Sequence, residues 1–306
     1  MDTFSNSQYS VLISNLLKDT QYIGISNMGK LAGLRKHAEV LVRKILDIGN
    51  SQKLMLGQIR KKSDNKAVMR AMNNLGSELS EEIINITNNI NPLGRDGTHT
   101  QRTEEFSSEE VEGVEDAILD LYALMFIRYF QNIKISLYSD PQVLRVFSLL
   151  PPVIRYKTWN YLFEKDRYNI QVVNKLCLSI IKLFDKKTAY KWLRENKEII
   201  KAIPYPTENE IEKYYKIHSF EIYPGVYQAL VSLEFDQYEN IYDLLYAKIR
   251  DTRTSINESG KMYKNFEEAI EYYNIEIKNY RETLDEKFYD LMDFVYIGRK
   301  SVEDLK

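Results

Sequence analysis

Arg95 and His99 stand four residues apart in Asn91-Pro92-Leu93-Gly94-Arg95-Asp96-Gly97-Thr98-His99, a stretch holding one of only three histidines in the chain. A guanidinium keeps its charge and grips a phosphate through parallel N–H donors. An imidazole gives or takes a proton near neutral pH. Together they form a minimal set for breaking an RNA phosphodiester without a metal. A base removes the 2′-hydroxyl proton, a cation stabilises the pentavalent phosphorane, and an acid protonates the leaving 5′-oxygen. Gly94 and Gly97 permit close backbone approach, Asp96 or Thr98 is placed to orient His99, and Asn91 stands in support. A plainer alternative has His99 bracing the next helix by hydrogen bonds.

The elements that must position this stretch are helical. Glycine and proline are scarce, 12 and 7 in 306 residues, and apolar residues recur every three or four positions. This pattern predicts an all-α protein. Helices are expected over Asp2–Lys18, Lys30–Asp47, Lys66–Asn88 and Ser108–Ile135, with a short segment at Lys53–Lys61 and a loop from Asn91 to Phe106. Ser107-x-x-Glu110 has the spacing of a capping box. These four main helices make an N-terminal bundle over residues 1–135.

Composition then shifts, with 19 of the 23 tyrosines falling after residue 135. Residues 136–306 read as a second, tyrosine-rich helical domain serving as sensor, specificity or oligomerisation module. Helices are expected over Pro141–Leu150, Val153–Glu164, Asn169–Phe184 and Thr188–Lys201, with a capped start at Thr207-x-x-Glu210 and a short extended piece within Phe220–Gly225. The chain ends in one long aromatic-striped helix, Gly260–Tyr296, suited to packing across a partner subunit. Tyrosines at such spacing are half-buried packing residues or, alternatively, a stack for bases.

Charge is uneven in the N-terminal half. Lys30–Arg70 carries eleven Lys or Arg against three acids, and Glu78–Asp120 carries twelve acids against Arg95 and Arg102. Three readings fit: internal pairing between neighbouring helices, a self-complementary dimer surface, or a phosphate-binding strip. In the last, Arg60, Lys61, Lys62 and Arg102 contact nucleic acid. The net charge of −2 speaks against strong general affinity for nucleic acid or membranes.

The helix Leu34-Arg35-Lys36-His37-Ala38-Glu39-Val40-Leu41-Val42-Arg43-Lys44-Ile45-Leu46, followed about 45 residues later by Ile90 to His99 and then a further helix, resembles the HEPN superfamily over residues 28–132. Arg35, Glu39, Leu41 and Leu46 match its R-x-x-x-E-x-L-v-x-x-i-L helix. Ile90 or Leu93, Gly94 and His99 match its l-R-x-x-G-N-x-x-x-H turn. The motif arginine position holds Asn91, and Arg95 replaces the asparagine after the glycine. The resemblance implies a four-helix bundle that dimerises so that two Arg/His loops meet in a cleft. It implies either a metal-independent endoribonuclease effector of bacterial defence, abortive infection or toxin–antitoxin systems, or a non-catalytic scaffold binding a partner protein or nucleotide. RNA, a second copy and an antitoxin or defence partner are the partners it suggests.

The remaining chemistry is sparse. His37 reads as a surface or interface residue and His218 has no assigned role. Cys177, the single cysteine, reads as a buried core residue in a reducing compartment. No zinc spacing, phosphate-binding glycine loop or dinucleotide fingerprint is present, so no metal and no cofactor are expected. The N-terminus has no secretory pattern and the most apolar run, Ala117–Phe130, is short and charged, which points to a cytoplasmic protein without membrane spans.

Overall fold

The structure, a computed structural model, describes residues 3–22, 24–99, 102–224, 226–229, 233–252 and 263–306. The described residues are helical apart from one short hairpin. Contacts divide the chain into two compact units, Met1–Arg128 with Tyr289–Lys306, and Tyr129–Phe288. The last residues therefore belong with the first unit and not with the 136–306 domain that composition predicts.

The first unit begins with α1 (Asn6–Leu17), which continues into a wider π turn over Lys18–Tyr22. Next come α2 (Asn27–Leu46), α3 (Lys66–Leu75), α4 (Ser77–Asp96) and α5 (Ser108–Ile133), the last running past the unit boundary. Helix α2 starts at a Ser26 cap and stops where Asp47 takes a left-handed conformation, φ 53°. The Ser107/Glu110 capping box forms as its spacing predicts, with bonds of 2.9 and 3.2 Å. One expected helix over Lys66–Asn88 is two. Gly76, at φ +91°, turns the chain between α3 and α4, a conformation that side chains rarely adopt.

The second unit contains α6 (Pro141–Phe147), α7 (Pro152–Lys165), α8 (Ile170–Leu183), α9 (Lys186–Glu195), α10 (Lys197–Lys201) and α11 (Glu208–Ile217). It continues with strands β1 (Ser219–Tyr223) and β2 (Val226–Ala229), then α12 (Ile241–Asp251), α13 (Phe266–Tyr280) and the start of α14 (Glu286–Tyr296). The strands pair antiparallel, Ser219 opposite Ala229, so the expected extended piece at Phe220 is real and has a partner strand. Helix α8 is its centre and packs on α7, with Val172, Val173, Leu176, Cys177, Ile180 and Ile181 buried. The single long terminal helix is corrected: α13 and α14 are separate, and Asp285 accepts a bond from Phe288 N at 2.9 Å to open the second. The start of that expected helix, Gly260, lies outside the described residues.

Candidate functional site

The Asn91–Asp96 stretch is helix, not loop: α4 runs through Pro92 and ends at Asp96. Proline forfeits a backbone bond inside a helix. The contact with α2 holds the turn in place. Leu79, Ile83, Thr87, Ile90 and Gly94 form the buried stripe of α4, and Gly97 prolongs it. A Cβ on Gly94 would lie 2.5 Å from Arg35 Cβ, and one on Gly97 would lie 3.0 Å from the Met28 carbonyl oxygen. These glycines serve helix-to-helix approach. Arg35 crosses the same seam, its Nε donating to Asn91 Oδ1 at 3.2 Å while its guanidinium lies 3.6 Å from Glu39. The two sequence patterns thus meet through Arg35, Glu39, Asn91 and Gly94, a junction that spacing alone did not reveal.

Arg95 and His99 sit above this seam. Thr98 N bonds to Arg95 O at 2.8 Å and His99 N to Asp96 O at 3.4 Å, so the chain keeps turning beyond the helix end. Both side chains are exposed. The helix C-terminus carries partial negative charge, which favours cations there. Arg95 Nε lies 3.5 Å from Asp96 Oδ1, and Thr98 Oγ1 donates to Arg95 O at 2.7 Å. Neither Asp96 nor Thr98 bonds the imidazole, and His99 forms no side-chain hydrogen bond among the described residues.

Three of the other four cationic candidates are engaged within the first unit. Arg60 pairs with Asp64 at 2.5 Å and Lys61 with Glu81 at 2.9 Å, while Lys62 is exposed. Arg102 makes a two-pronged contact with Glu110, at 2.8 and 2.9 Å, and lies 3.8 Å from the centre of the Phe106 ring. Lys30 meets Glu115 at 2.8 Å. Lys30–Glu115 joins basic α2 to acidic α5, and Lys61–Glu81 joins the turn before α3 to α4, both by internal pairing. Lys61 and Glu81 also border an open cleft of about 530 Å³ between α3 and α4, floored by Met69, Met72 and Ile84.

His37 is corrected from surface to core. It is fully buried, with Nε2 at 2.9 Å from Tyr122 Oη. Arg299, itself buried, donates to that same oxygen at 3.1 Å and to Gln21 Oε1 at 2.8 Å. Tyr122 therefore accepts from Arg299 and has its own proton to give to His37 Nε2. Burial, aided by the nearby Arg299 charge, lowers the His37 pKa to about 3. Its Nδ1 is buried without a hydrogen-bond partner. The sequence signal was present: Leu34, His37 and Leu41 share the buried face of α2.

In the second unit Cys177 is buried and burial pushes its thiol up to about 12, so it is an inert core residue as expected. His218 is nearly buried, rests 4.4 Å from the Tyr214 ring centre and has a pKa lowered by that burial. Among the described residues no group of three or more His, Cys, Asp or Glu is placed to hold a metal ion, and no helix is long and apolar enough to cross a membrane. Comparison with family models, characterised proteins and solved structures finds no match to this chain.

Proposed function

We propose that this chain is a HEPN-type, metal-independent endoribonuclease effector in which His99 of one copy takes the ribose 2′-hydroxyl proton, a proton donor of a second copy protonates the leaving 5′-oxygen, and Arg95 holds the scissile phosphate. The observation that carries this reading is a cation and an imidazole exposed on one backbone turn that leaves a packed helix seam. Arg95 and His99 stand one turn apart at the end of α4, on a seam fixed by Gly94 and Gly97 against α2. Preorganised placement of a proton-transfer group and a cation is what phosphoryl cleavage without metal requires. One imidazole cannot be base and acid in the same step, so a second copy supplies the other proton-transfer group, as the HEPN resemblance implies.

A mixed RNA pool incubated with EDTA tests the reading. Cleavage that persists in EDTA, leaves cyclic 2′,3′-phosphate ends and vanishes in His99→Ala is the expected result. Cleavage equal in wild type and His99→Ala overturns it. A second reading, a non-catalytic helical scaffold binding a partner protein, is favoured by the pairing of Arg60, Lys61 and Arg102 with Asp64, Glu81 and Glu110. Under that reading neither protein cuts RNA while both remain folded, and within the Arg60, Lys61, Lys62 strip charge reversal at Lys62, which breaks no internal ion pair among the described residues, disrupts the partner complex.

A further inference from the structure

In the second unit α9, α10 and α12 pack on one another. Ala189 and Leu193 of α9, and Leu244, Leu245 and Ala247 of α12, turn inward. That leaves Tyr190, Tyr242 and Tyr246 along the junction. The Tyr190 and Tyr246 ring centres are 4.9 Å apart, and those of Tyr242 and Tyr246 are 6.5 Å apart with planes inclined by 30°. Tyr246 keeps 48% of its surface exposed. The α9 N-terminal end is tied to the α12 C-terminal end by Lys186 Nζ donating to Arg250 O at 2.7 Å, which fixes the junction.

Cations flank these rings. Lys197 and Lys201, one turn apart on α10, hold their ammonium groups 5.8 and 5.7 Å from the centre of the Tyr242 ring. Arg194 is exposed beside them in sequence. Among the described residues none of these three has a carboxylate partner within ion-pair distance, in contrast to Arg60, Lys61 and Arg102 of the first unit. Residues 186–201 carry six Lys or Arg against Glu195 and Glu198, a net of +4 in a chain of net −2. Asp243 on α12 already accepts from Asn240 Nδ2 at 2.7 Å, and Asp251 is held by Arg250.

We infer that this tyrosine and lysine junction binds single-stranded nucleic acid, with an unpaired base stacked on Tyr246 and the adjoining phosphates held by Lys197, Lys201 and Arg194. An exposed aromatic ring beside unpaired cations is the combination that grips single strands, because every base has a stacking face and every linkage a charge; here Tyr246 is the exposed ring and half-buried Tyr242 joins it to the lysines. A duplex presents phosphates but keeps its bases stacked on each other, so the rings discriminate against it. The inference stands apart from the catalytic proposal: it holds or fails whether or not the chain cuts RNA.

The test uses the full chain carrying His99→Ala, so that cleavage does not consume the probe. A fluorescently labelled single-stranded RNA of about 12 nucleotides, within the site sizes such surfaces use, is titrated and followed by anisotropy. Expected are preference for the single strand over its duplex, roughly ten-fold weaker binding in Tyr246→Ala, and near-full binding in Tyr246→Phe. The Lys197→Glu, Lys201→Glu double variant leaves the α9–α12 ring packing intact; it is expected to weaken binding further and to flatten the salt dependence. Absence of binding, equal affinity for duplex, or indifference to both the tyrosine and the lysine variants overturns the inference. So does uptake by phosphatidylserine–phosphatidylcholine vesicles that depends on the same lysines while RNA binding does not.

Discussion

Between pH 7 and pH 5 the burial of His37 makes the first unit less stable as the pH falls. Its native pKa is about 3, against 6.5 for an exposed imidazole. Below pH 6.5 the unfolded chain takes up a proton at this position and the folded chain does not. Stability therefore falls as pH drops from 6.5 toward 3, by about 2 kcal/mol at pH 5 from this residue. His218, also lowered by burial, pulls in the same direction from the second unit. Urea unfolding of wild type and His37→Leu at pH 7 and pH 5 separates the two. The variant is expected to lose much of the acid sensitivity, and an unchanged pH dependence would count against a neutral buried His37. The same residue bears on activity: a histidine held neutral inside the core is no candidate for proton transfer at neutral pH, which leaves His99 as the first unit's exposed imidazole.

At the level of elements, the space around a new methyl group predicts opposite outcomes for two glycine substitutions, one in the α2–α4 seam and one on the open face of α5. Gly94→Ala gains helix propensity worth about 1 kcal/mol. Its new Cβ, however, meets the Cβ and Cδ of Arg35 at 2.5 and 2.8 Å, and Arg35 is tied to Asn91. Such overpacking costs about 1–3 kcal/mol. Net destabilisation is expected, and under the proposed nuclease reading RNA cleavage is lost with it. Gly113→Ala on α5, with nothing within 4 Å of the new methyl, is expected to stabilise by about 0.5–1 kcal/mol. Thermal melts of the two variants decide the point; a neutral Gly94→Ala would show that the seam is not tight. The seam also explains what the sequence made legible. Capping boxes at Ser107/Glu110 and Thr207/Glu210 could be read directly, because each cap is a local contact three residues long. The extent of α4 could not. Its buried stripe ends in Gly94 and Gly97, which hydrophobic periodicity does not count, and Pro92 argues locally for a break. The break at Gly76 was hidden for the converse reason. Val68, Met72, Leu75, Leu79 and Ile83 keep helical spacing straight across it. For the site, Arg95 and His99 were visible as residue types, while the Arg35–Asn91 junction and the Tyr190–Tyr246 pairing depend on tertiary contacts that no spacing rule encodes.

At the scale of the molecule, the first unit is completed by residues that arrive last in the chain. Asn6 Nδ2 donates to Asp290 O and Asp293 Oδ2, each at 3.0 Å, and Lys44, which also bonds Asn6, pairs with Asp290. Lys44 Nζ lies 5.2 and 5.3 Å from the rings of Phe4 and Phe294. Met292, Phe294 and Val295 are buried, and Arg299 supplies the donor that satisfies Tyr122 Oη. Full burial of each such apolar side chain is worth about 1.5–3 kcal/mol, a large share of the 5–15 kcal/mol that stabilises an ordinary domain. A fragment ending at residue 135, the boundary suggested by composition, lacks all of these contacts. It is expected to unfold at lower temperature and less cooperatively than a chain in which 289–306 is retained. A synthetic peptide of residues 289–306 added in trans should raise its melting temperature in a concentration-dependent way, since anything that binds only the folded form shifts the equilibrium by mass action. Circular dichroism melts of the fragment with and without peptide make the comparison. A fragment that melts sharply at one temperature irrespective of peptide would mean that the first 128 residues hold their own core, and that the closing segment rests on a unit already formed.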